Sequence, residues 1–298
     1  MKKMHAAMSL CLCAGMLMFS ASAALADDMA PVAENMEIRT YRETAVSGTL
    51  SAADPDGGEL TYEISTPPIK GEIALEPDGS FVYTPGDGKR GKDYFGYKAT
   101  DSSGNTSHEA TVIISIDKPK SEVTYSDMSG SGAEYAAVRL AEEGIFIGEC
   151  LGGEYVFSPD EPVTRGEFLA MCMKLADVDL LSGVSRTGFA DDEDIDAWMR
   201  PYVSTALMCG AISGVSTSEG AVFDPARGIT GAEATVMLNN VLGLGDVGYI
   251  ETDGEVPTWA SQAVMNLEAN GIIVSGEAEL PMLTRAEAAL MLCRALEM

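Results

Sequence analysis

VTRGE at Val163–Glu167 is written twice more in this chain, as ITGAE at Ile229–Glu233 and as LTRAE at Leu283–Glu287. In each, a threonine stands three residues before a glutamate. At that spacing an N-cap side chain bonds the N3 amide and the N3 carboxylate bonds back. Thr164 with Glu167, Thr230 with Glu233 and Thr284 with Glu287 therefore predict three helix starts. The residue after the threonine has no such explanation. Arg165 and Arg285 put a cation at the positive end of a helix dipole, unfavourable by roughly 0.3–1 kcal/mol when exposed. Two readings remain open. A guanidinium beside unpaired first-turn amides makes a site for a carboxylate or phosphate; alternatively, the arginine is solvated and pairs with a nearby acid.

The surroundings of the boxes recur too. Gly144, Gly210 and Gly271 each close an apolar-periodic segment, as a left-handed helix cap would. Thr164 and Thr230 follow their glycines by 20 residues, Thr284 by only 13. Phe157-Ser158-Pro159 and Phe223-Asp224-Pro225 precede the first two boxes, whereas the shortened third loop keeps only Pro281. Twelve residues before the second and third glycines stand Trp198 and Trp259; Gly132 holds that place in the first copy. The helices after the boxes, 168–176, 234–242 and 288–296, are apolar nearly all round and predict a shared bundle.

These boxes, glycine stops, Phe-x-Pro elements and tryptophans together resemble the S-layer homology family, in three copies at 124–182, 187–247 and 248–298. The resemblance implies an all-α, pseudo-threefold bundle that binds secondary cell-wall polysaccharide, often a pyruvylated one, and so holds an exported protein on the wall. It also implies that Arg165 and Arg285 contact acidic sugar, with Trp198, Trp259, Gly144, Gly210 and Gly271 around them. The tryptophans read equally as core at a junction. Gly231 in place of arginine, Gly132 in place of tryptophan and the short third loop predict fewer than three competent grooves. On this reading the arginine is dispensable for folding and is kept or lost with ligand binding.

Upstream the period changes to two. Segments 46–52, 60–65, 71–76, 80–85, 93–101 and 109–116 read as strands separated by Gly, Asp and Pro turns. They predict a β-sandwich over 41–117, joined by a polar linker, 118–123. SGTLSAADPDGGELTYEI, GEIALEPDGSFVYTP and DYFGYKATDSSGN resemble bacterial cadherin-like or immunoglobulin-like modules. Asp54, Asp56 and Asp101 read as turn formers, with calcium ligation as the alternative.

The first 26 residues read as a signal peptide: two lysines, an apolar run and Ala24-Leu25-Ala26. Its removal leaves 17 Lys and Arg against 46 Asp and Glu, a formal charge of −29, which disfavours nucleic acid and anionic membranes as partners. The four cysteines beyond it, Cys150, Cys172, Cys209 and Cys293, show no metal-ligand spacing and predict mostly buried thiols. His108 is then the one histidine, and no nucleophile motif is present, so neither catalysis nor a cofactor is expected. The expected function is non-covalent wall anchoring by a secreted, cell-surface protein, the sandwich serving as spacer or adhesion module. The alternative is an adhesin whose sandwich binds a protein or glycan.

Overall fold

The computed structural model describes residues 29–248 and 256–298; the expected leader lies outside them. Nine strands come first: β1 (Val32–Ala33), β2 (Met36–Tyr41), β3 (Val46–Thr49), β4 (Ala52–Ala53), β5 (Thr61–Thr66), β6 (Gly71–Leu75), β7 (Ser80–Pro85), β8 (Gly91–Thr100) and β9 (Ala110–Asp117). They form a four-stranded sheet, β2-β9-β8-β5, a three-stranded sheet, β3-β7-β6, and a ribbon of β1 with β4. Strand periodicity places the elements from β3 onward, but the expected start at residue 41 omits β1 and β2. No local turn announces β2, because its partner is the last strand: it lies parallel to β9, Met36 opposite Val112.

Alternation decides the interior. β9 buries Ala110, Val112, Ile114 and Ile116, and β8 buries Phe95, Tyr97 and Ala99. Phe81 of β7 meets Phe95 of the facing sheet edge-on, with ring centroids 5.4 Å apart. The sheets are also tied by buried Asp93, which accepts from the Tyr83 hydroxyl (2.8 Å) and from the amides of Ile69 and Lys70 (3.1 and 2.8 Å). Burial alone would raise its pKa, but these donors hold it below the usual carboxylate value. Asp101 accepts from the Ser103 and Asn105 amides, and Asp54 from that of Asp56. These carboxylates form turns.

The helical region contains α1 (Glu134–Glu142), α2 (Arg165–Leu175), α3 (Arg200–Met208), α4 (Gly231–Leu242), α5 (Ser261–Ala269) and α6 (Arg285–Leu296). Between α1 and α2 lies a hairpin of β10 (Glu149–Leu151) and β11 (Glu154–Val156). Between α3 and α4 lies its counterpart, β12 (Val215–Thr217) with β13 (Gly220–Val222). A 3-10 turn at Glu277–Glu279 occupies the shortened third loop. The main helix packing runs between sequence units: α2 lies on α3, α4 on α5, and α6 returns to α1. At the centre, the Val163 amide donates to the Leu283 carbonyl, Leu283 to Ile229, and Ile229 to Val163, each at 2.9 Å. This closed cycle, made by the three buried aliphatics that precede the box threonines, accounts for their recurrence. Cys172 and Cys293 are buried within the region, but Cys150 and Cys209 are exposed thiols. Half of the expected buried set is therefore at the surface.

The linker is not free. Tyr41 Oη donates to Glu142 Oε2 on α1 (2.6 Å), and the amides of Lys120 and Ser121 donate to Glu142 Oε1. The sandwich is thus docked on the helices.

Candidate functional site: the junctions between helix pairs

Each capping box forms as its spacing demands. The threonine hydroxyl accepts from the N3 amide at 3.2–3.3 Å, and the glutamate accepts from the threonine amide at 3.0 Å (Glu167), 3.2 Å (Glu233) and 2.7 Å (Glu287). The first-turn amides, expected to be unpaired, have partners on the neighbouring unit. Arg165 N–H donates to Arg227 O (2.9 Å) and Gly166 N–H to Pro225 O (3.0 Å). Arg285 N–H donates to Glu161 O (2.8 Å), Ala286 N–H to Pro159 O (3.0 Å), and Gly231 N–H to Leu280 O (2.8 Å). These helix starts are seams between units, which corrects the reading of them as open anion sites.

The arginines lie in the same seams. Arg165 is buried; its Nε donates to Phe223 O (3.1 Å), its guanidinium stands 5.4 Å from the Phe223 ring centre, and it pairs with Glu233 at 3.2 Å. Glu233 also receives Arg227, which clamps it with both terminal nitrogens (2.6 and 3.0 Å) while its Nε reaches Asp224 (3.1 Å). Burial alone would raise the Glu233 pKa, but the bonds from Arg227 and Thr230 and the two guanidinium charges outweigh it and the carboxyl titrates low. Burial lowers the Arg165 pKa, opposed chiefly by Glu233. Arg285 makes the equivalent reach into the first unit, with a bond to Phe157 O (3.3 Å), a place over the Phe146 ring (5.5 Å) and a pair with Glu161 (3.1 Å). Both guanidinium groups are largely withdrawn from solvent. They differ in their partners, since the Glu161 side chain is 60% exposed and that of Glu233 only 19%.

The glycine stops have a backbone reason. Gly144, Gly210 and Gly271 adopt φ of 67°, 76° and 67°, with open space where a Cβ would stand. Each closes its helix with the paired C-terminal bonds of a Schellman cap, as in Gly144 N–H to Ala141 O and Ile145 N–H to Leu140 O. The tryptophans are not core: Trp198 is 52% and Trp259 62% exposed. Trp198 also stacks edge-on with Tyr202, one helical turn away, at 6.2 Å.

Two residues escaped the sequence reading. Asp127 accepts from the amides of Phe157 and Ser158, and Asp191 from those of Phe223 and Asp224, at 2.6–3.1 Å. They hold loops in which Ser158 and Asp224 take left-handed φ of 56° and 57°. The available signal was the recurrence of an aromatic two residues before each aspartate, in Tyr125-Ser126-Asp127 and Phe189-Ala190-Asp191. Those aromatics pack on Phe157 and Phe223.

Comparison with known families fits this division of the chain. The model of the bacterial cadherin-like domain matches residues 28–118, and that of the S-layer homology domain matches residues 124–169. The chain carries a bacterial cadherin-like domain followed by an S-layer homology domain. The first match begins upstream of residue 41, as β1 and β2 require. The surface-layer 125 kDa protein of Lysinibacillus sphaericus is 24% identical over 192 residues, which is 63% of this chain and 15% of that protein. The chain thus aligns with a minor part of that much longer relative. Human protocadherin-24 EC1-2 is similar over 30% of this chain and 52% of its own (20% identity, TM-score 0.26). The SrpA adhesin of Streptococcus sanguinis is similar over 34% and 62% (17% identity, TM-score 0.25). At the family level the S-layer homology match places the protein at the cell surface, and neither matched family is catalytic. Among the described residues no helix is long and apolar enough to cross a membrane.

Proposed function

We propose that the helical region comprises three S-layer homology repeats in a pseudo-threefold ring, and that it anchors the exported chain by binding secondary cell-wall polysaccharide. Units of 124–182, 187–247 and 248–298 are supported by the three matching caps, the hairpins shared by the first two and the cyclic aliphatic bonds. The observation that carries the binding reading is the exposure of Trp198 and Trp259 at matching positions. A large aromatic left half in water offers its face to the C–H side of a sugar ring. The arginines act differently in this proposal. Arg165, held by Glu233 and Phe223, supports its junction from within. Arg285 does the same at the α6–α1 junction, through Phe157 O and exposed Glu161. The sandwich serves as a fixed outer module.

Co-sedimentation of the full chain with wall sacculi, with and without their secondary polysaccharide, tests this. The Trp198→Ala, Trp259→Ala double variant should lose at least about tenfold in affinity, as loss of anchoring aromatics does elsewhere. Parental binding by that variant, or equal binding to stripped sacculi, would sink the proposal.

A further inference from the structure

The place twelve residues before the glycine stop holds Trp198 in one unit, Trp259 in another and Gly132 in the first. What covers Gly132 is the sandwich. A Cβ there would stand 3.0 Å from Ser47 Cβ and 3.3 Å from Val82 Cγ2, and the Ser47 amide donates to Gly132 O at 3.1 Å. The contact continues along α1. The Tyr135 amide donates to Ala45 O (3.1 Å), the Ala45 amide to Glu134 Oε2 (3.0 Å), and the rings of Tyr41 and Tyr135 lie 5.2 Å apart. Glu142, its side chain 1% exposed, gathers Tyr41, Arg139 and the linker amides. The Tyr135 hydroxyl then reaches Glu297, just past α6, at 2.7 Å.

We infer that the sandwich is the resident occupant of the α6–α1 junction. The chain's own domain sits where the other two junctions hold an exposed tryptophan. This locks sandwich and helices together and leaves two open aromatic junctions, not three. The glycine favours docking, since even a Cβ would press on Ser47 and Val82 and a large side chain has no room at that point. The two domains otherwise leave an open cleft of about 1410 Å³ beside the contact. Docking therefore depends on the few contacts named, and a single bulky residue can break it. None of this depends on what the tryptophans bind.

Trypsin cleavage after Lys120, in the full chain, reads the docked state, because the neighbouring amides are held by Glu142. Gly132→Trp should speed formation of the fragment ending at Lys120 by about tenfold or more, the expected response when a protected segment becomes locally open. Far-UV circular dichroism checks that both domains remain folded. Tyr41→Phe keeps the ring and removes the hydroxyl that binds Glu142 and faces Arg139, so it should give an increase of about two- to fivefold. Small-angle scattering should report a more extended Gly132→Trp chain. Parental cleavage rates in both variants would overturn the inference, as would a parent chain cleaved after Lys120 as fast as when denatured. If Gly132→Trp does not fold, Tyr41→Phe decides alone.

Discussion

At the start of α2 the first-turn residue is an arginine that reaches into the next unit; at the start of α4 it is a glycine against which the next unit closes. In the first seam, the guanidinium of Arg165 fills the space beside Phe223 and is balanced by Glu233. In the second, a Cβ on Gly231 would lie 2.0 Å from the Glu277 carbonyl oxygen and 3.1 Å from Ala278 Cα. The approaching backbone belongs to the 3-10 turn that replaces a hairpin in the shortened third loop. Loss of the arginine and loss of seven loop residues are thus one structural change: a shorter loop falls inward, and only glycine admits it. The same logic holds at Gly132, where the sandwich is the intruder. Departures from a repeated motif record what has moved into the space.

Restoring the motif should therefore be the most damaging substitution. Gly231→Arg forces the Glu277–Glu279 turn off α4 and should cost about 3 kcal/mol, the upper range for overpacking against backbone. Chemical denaturation of the full chain measures it. An unchanged midpoint would mean the turn moves aside freely, and the comparison of the two seams would fail.

The opposite change at the other seam comes next. Arg165→Met keeps much of the packing but removes the partner of Phe223 O and one of the two cations on Glu233, a loss of about 2 kcal/mol. Arg285→Met, whose partner is exposed, should lose about half as much, near 1 kcal/mol. Acid sharpens the difference. Because the folded Glu233 pKa lies below its ordinary value, its contribution is present above the normal glutamate range. It is lost as pH falls through the lower folded value. Stability measured from neutral pH downward should fall less steeply in Glu233→Gln than in the parent, and identical slopes would place the acid response elsewhere.

What could be read from the sequence followed from the range of the causes. Capping boxes, glycine stops and alternating strands are set by neighbours within a few residues, so Thr164, Gly210 and β7 were legible. β2 was not, because its pairing partner lies at the far end of the domain. The role of Arg165 also depended on distant atoms. Its box suggested an open helix end, but the carbonyls of Pro225 and Arg227 occupy that end from another unit. The tryptophans could be placed by spacing, yet whether they were core or surface turned on packing between units that no local pattern encodes.

The smallest effect on stability should come from the residues given the most functional weight. With about half of each ring in water, Trp198→Ala and Trp259→Ala should each change stability by no more than about 0.5 kcal/mol, as surface substitutions do. Trp198 has one more tie, to Tyr202, and should sit at the upper end. Assayed singly on sacculi, the pair then separates two accounts of the seams. Trp198 shares its seam with Arg165 and Trp259 shares its seam with Gly231. If bound glycan needs the arginine, only Trp198→Ala will weaken attachment. Arg165 is already satisfied by Glu233 and Phe223, so we expect the two substitutions to weaken it to a similar degree. Equal losses would assign the arginine to the architecture of its seam and the ligand to the aromatic faces.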